Sequence, residues 1–93
     1  SFEPTRSFVP RAEVLETEKD FVISLDVPGV KESDLAVTVN SGIITITGER
    51  KFESSIEEKT KRTTEKIYGR FERSFSLPEL VNTEAIDAHY ESG

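Results

Sequence analysis

Ninety-three residues support one domain, near the lower limit for a self-sufficient core, and a chain that is 34% apolar and 32% charged places a lean core beneath a very polar surface. The net charge of −6 lacks the basic footprint that nucleic-acid phosphates require, and the absence of cysteine excludes a disulfide framework and a thiolate metal site. No apolar run reaches transmembrane length and no secretory h-region is present, so no membrane partner is expected and a cytoplasmic location is the default.

Residues 1–9 carry Phe2 and Phe8 without sustained periodicity and read as the remnant of an N-terminal arm, with the domain proper expected over residues 10–93. Pro10 suits the opening of an edge strand because it lacks an N–H. A first strand is expected at roughly residues 10–16, followed by the polar turn Thr17-Glu18-Lys19-Asp20. Residues 21–27 alternate strictly, with Phe21, Ile23, Leu25 and Val27 inward and Val22, Ser24 and Asp26 outward, until Pro28-Gly29 ends the run. After a short polar connection with room for one helical turn, Leu35, Val37 and Val39 form the next inward face. Asn40-Ser41-Gly42 is a hairpin signature leading into a strand at 43–49.

Residues 49–66 are rich in Glu, Lys, Arg, Ser and Thr and are expected to form a long functional or disordered loop. The strand at 66–77 then places Ile67, Phe71, Phe75 and Leu77 on one face together with Gly69 and, unusually, Arg73. A last strand is expected at 84–90. Short strands with regular turns and almost no helix predict an all-β sandwich.

Four runs together resemble one family. The run 21–30, closing on Asp26-Val27-Pro28-Gly29, is similar to the "D-x-P-G" signature of small heat-shock proteins. Ile44-Thr45-Ile46-Thr47-Gly48-Glu49-Arg50 resembles their "L-x-I-x-G-E-R" strand, and the run 68–78 resembles "Y-G-x-F-x-R-x-F-x-L-P". Residues 86–93 resemble the approach to their "A-x-x-x-x-G-V-L" signature, whose continuation and flexible tail lie past Gly93.

The resemblance implies an α-crystallin domain: an immunoglobulin-like β-sandwich with a long strand-exchange loop, lacking its last strands and C-terminal tail. It implies an ATP-independent holdase that dimerises and binds unfolding client proteins, without cofactor or enzymatic activity. It also implies that a short strand near Thr60, Lys61, Arg62, Thr63 and Thr64 crosses to a second subunit. There it would pair beside Arg11, Ala12, Glu13 and Val14, with Arg73 as an interface anchor. Leu35, Val37 and Val39 would line a groove for the tail and for clients. Two other readings of the chain stand beside this one: a structural dimerisation module without holdase activity, and a co-chaperone adaptor of the CS/p23 kind.

Each singled-out residue also has a plain reading. Arg73 is either an anchor whose guanidinium fork caps carbonyls or carboxylates, or an arginine snorkelling from a strand to water. Residues 51–65 are either the exchanged element or a charged loop. His89 falls out of phase with Ile86, Ala88 and Tyr90 and reads as solvent-facing, with no second ligand at metal spacing. No Ser/His/Asp constellation and no phosphate-binding glycine loop is present, so catalytic, cofactor and metal residues are not expected.

Overall fold

The computed structural model describes the backbone of residues 5–57 and 62–91, and the side chains of residues 6–51 and 68–91. Six strands follow in order: β1 (Thr5–Ser7), β2 (Ala12–Glu16), β3 (Phe21–Leu25), β4 (Leu35–Asn40), β5 (Ile43–Glu57) and β6 (Arg62–Ser76). They form a four-stranded sheet in the order β1-β6-β5-β4 and a two-stranded sheet of β2 and β3, the immunoglobulin-like sandwich expected of this sequence. Among the described residues the only helical pieces are two 3₁₀ turns, Glu32–Asp34 and Thr83–Ala85.

Turn chemistry fixes the joints. Thr17 closes the β2–β3 connection: its N–H donates to the Asp20 carbonyl at 2.8 Å, and its hydroxyl accepts from the Asp20 N–H at 2.9 Å. After β3, the Val30 N–H donates to the Val27 carbonyl across Pro28-Gly29. Gly29 has φ 80°, the arrangement of a type II turn with proline first and glycine second. Ser41 (φ 52°) and Gly42 (φ 75°) make the two-residue turn between β4 and β5, whose left-handed pair matches the twist of the flanking strands.

Alternation sets the faces. Leu35, Val37 and Val39 of β4 stand opposite Gly48, Ile46 and Ile44 of β5, which stand opposite Phe71, Arg73 and Phe75 of β6. That inward face meets Val27, Val30 and Leu25, giving a core of Val27, Val30 and Phe71 with Phe8, Leu25, Leu35 and Ile46 against it. The outward face is polar, carrying the Thr45–Ser74 hydroxyl pair at 3.0 Å and the exposed Glu49–Arg70 ion pair at 2.8 Å.

Three segments differ from the sequence expectation. Residues 5–7, read as an arm remnant without structure, form β1, which lies parallel to β6. The stretch 49–66 is not a loop over its described length. β5 continues to Glu57 and β6 begins at Arg62, so the two pair without interruption into a hairpin arm. Its register sets Glu53 opposite Lys66 and Glu57 opposite Arg62. The charge content that suggested a loop is thus compatible with a ladder.

Third, 84–90 is not a strand. Asn82 accepts from the Glu84 N–H at 3.0 Å and caps a 3₁₀ turn, and residues 86–91 run on irregularly. This run is held instead by the Tyr90 hydroxyl, which donates to the Val30 carbonyl at 2.6 Å.

Candidate functional site

Residues from three of the motif runs meet at one place. Gly48 on β5 leaves room for the Phe71 ring. A Cβ there would collide with the ring edge of Phe71 and come within 3.0 Å of Leu35. Phe71 is 2% exposed, and Val27 and Val30 on either side of the Pro28-Gly29 turn complete the cluster.

Arg50, two residues beyond Gly48, ties the cluster together. Its Nη1 donates to the Pro28 carbonyl at 2.8 Å, and its guanidinium carbon lies 4.1 Å from the centre of the Phe8 ring. Its stem passes so close to Gly69 that a Cβ on Gly69 would come within 3.1 Å of Arg50 Cγ. Sequence reading singled out none of Arg50, Phe8 or Tyr90. The signal for Arg50 was its place at the end of Gly48-Glu49-Arg50; Phe8 carried no periodic signal, and the alternation that included Tyr90 pointed to a strand rather than to its hydroxyl.

Arg73 stands on the inward face directly opposite Ile46 and half-buried. Its guanidinium carbon is 5.2 Å from the Phe75 ring centre, a contact that accommodates the charge among apolar neighbours. Among the described residues it makes no hydrogen bond or ion pair, so none of them uses the polar capacity of its fork.

The other expected interface residues divide into two groups. Arg11, Ala12, Glu13 and Val14 lie on or just before β2, whose partner is β3 on one side with no described strand on the other. Val14 is 49% and Leu15 60% exposed. Arg62, Thr63 and Thr64 begin β6, opposite Glu57, Ile56 and Ser55 of the same chain, and Thr60 and Lys61 fall outside the described residues. Sequence reading put these five in a separate short strand; Arg62, Thr63 and Thr64 instead continue β6.

On β4, Leu35 is half-buried, while Val37 and Val39 are exposed although they belong to the inward face. β4 pairs only with β5, so its outer edge has no described partner. His89 is exposed beside Glu91 at 3.3 Å, and no group of three or more potential metal ligands occurs among the described residues.

Gly48 and Arg50 come from one motif run and the Pro28-Gly29 turn from another, and a known family covers the stretch that holds them. The Hsp20/alpha crystallin family model matches residues 13–93. The chain belongs to that family.

Among its curated relatives, a small heat shock protein of Rickettsia felis is 32% identical over 95% of this chain and 57% of its own length. A 17.3 kDa class II heat shock protein of Solanum peruvianum is 40% identical over 88% of this chain and 54% of its own length. Heat shock protein 16 of Schizosaccharomyces pombe is 33% identical over 90% of this chain and 60% of its own length. This Hsp20-family chain therefore spans a little over half the length of these relatives. No solved structure matches it.

Proposed function

We propose that this chain is the dimerising, client-binding domain of an ATP-independent cytoplasmic holdase. The observation that carries the reading is a pair of unfilled strand edges. Past the four-stranded body, β5 and β6 continue as a two-stranded arm with no further described strand beside it, and a bare hairpin is marginal in water. Across the fold, β2 offers an open edge with Val14 and Leu15 exposed. An arm laid on the β2 edge of a second copy, and the reverse, would satisfy both in one two-fold arrangement.

Arg73 fits this reading as an anchor whose acceptors come from the second copy. Val37 and Val39, apolar and exposed on the β4 edge, suit capture of non-native segments, because exposed apolar strand edges invite strand addition. The high charge keeps such complexes dispersed.

Membership of the Hsp20 family favours this reading over a co-chaperone adaptor. The second reading that retains support is an assembly module without holdase activity, since the same open edges serve assembly. Sedimentation mass and light scattering of a heat-labile client without ATP separate the outcomes. A dimer that suppresses scattering supports the holdase. A dimer that leaves scattering unchanged at excess supports the assembly module, and a monomer removes the exchange.

A further inference from the structure

Residues 5–8 lie along β6 as a short parallel strap. Thr5, Arg6 and Ser7 register with Tyr68, Gly69 and Arg70, and the Phe8 N–H donates to the Arg70 carbonyl at 3.0 Å. The strap ends in a slot built for one ring. Phe8 tilts against Phe71 at 5.4 Å between centroids, with the Arg50 guanidinium 4.1 Å from its ring centre. Gly69 forms the floor, where a Cβ would come within 3.2 Å of Phe8 Cε1.

Phe8 carries the side-chain recognition, since Arg6 and Ser7 are exposed and the rungs beneath them are backbone. Three parallel rungs are few contacts to hold a strand, and segments so sparsely held are among the first of a fold to open. Beyond Arg70 the same edge of β6 carries no described strand as far as Ser76, so a longer segment would find further rungs.

We propose that residues 5–8 are a releasable cover, and that the slot they vacate takes an extended non-native segment bearing a phenylalanine, laid parallel to β6. The biological use of this slot rests on the holdase reading; its chemistry does not. The occupant already in place defines the requirement: an aromatic ring for the slot, and a backbone free to pair.

Fluorescence anisotropy on the full chain tests it, using labelled peptides. One has the sequence of residues 5–10, one has alanine for its phenylalanine, and one keeps the phenylalanine with scrambled flanks. Phe8→Ala, which empties the slot, is expected to bind both phenylalanine peptides about tenfold more tightly than the unmodified chain does, because the cover no longer competes. The alanine peptide is expected to bind neither protein, and adding Gly69→Val to Phe8→Ala is expected to abolish binding.

Equal binding by the two proteins, or binding indifferent to the peptide phenylalanine, overturns the proposal. So does binding confined to the native flanks, which would mean exchange between copies only. Amide exchange on the unmodified chain is independent of any variant's folding. The Phe8 amide is expected to exchange about 100-fold faster than those of residues 44–48, and equal protection overturns release. Peptide binding as expected, with no suppression of client aggregation, keeps the slot and removes the holdase.

Discussion

Gly48 shows how little freedom the core leaves. The Phe71 ring occupies the space that a side chain would need, and both neighbours of the collision are packed. Gly48→Ala is expected to destabilise the fold by about 1–3 kcal/mol through overpacking, measured as a lower urea midpoint at unchanged slope. Arg73 is the opposite case, a residue whose interactions with the described residues are few. Arg73→Ala is expected to cost the isolated protomer only about 0.5–1 kcal/mol for the lost contact with Phe75. Within the proposed dimer the loss is about 3–5 kcal/mol, since partner groups would be left buried and unpaired. Sedimentation equilibrium across a dilution series reads the difference, and an unchanged dissociation constant would exclude Arg73 from the interface.

At the scale of elements, β3, β4 and the core portions of β5 and β6 were legible because each alternates with period two between strong turn signals. The arm was not. Its polar composition is what a loop and a solvated two-stranded ribbon have in common, and only pairing tells them apart. The strap was hidden because three residues show no period, and the run 86–91 misled because alternation alone does not supply a neighbouring strand. Arg73 was legible as an anomaly of phase, whereas Arg50 was not, since its role depends on three segments meeting. Removing residues 54–64 is expected to shorten the ribbon without touching the core and to convert the dimer to a monomer. Size-exclusion chromatography with light scattering checks this, and a surviving dimer would assign the interface elsewhere. In the β4–β5 turn, Ser41 holds φ 52° at some cost, so Ser41→Asn is expected to stabilise by about 0.5 kcal/mol, seen as a small rise in Tm.

The whole molecule is far from spherical. Its radius of gyration is 17.4 Å and its longest extent 62 Å, whereas a compact chain of this length would have a radius near about 12 Å. The arm accounts for the excess, and with it a large surface relative to the volume of the core. Solubility then depends on charge rather than on concealment of apolar groups. As pH falls from 7 toward the pI of about 4.8, the net charge of −6 vanishes while Val14, Leu15, Val37 and Val39 remain exposed. Turbidity is expected to peak near that pH and to clear again below it; a flat profile would mean that the apolar edges are covered in solution.

The strap also sets an order of events during synthesis. Thr5 is made well before its register partner Tyr68. The β4–β5 hairpin closes through a two-residue turn long before the strap has anything to pair with, since joining such distant segments costs more chain entropy. Until β6 is made, Phe8 has no slot and residues 5–7 have no strand to pair with. The newborn chain therefore passes through a stage in which Phe8 is uncovered and its strap unpaired.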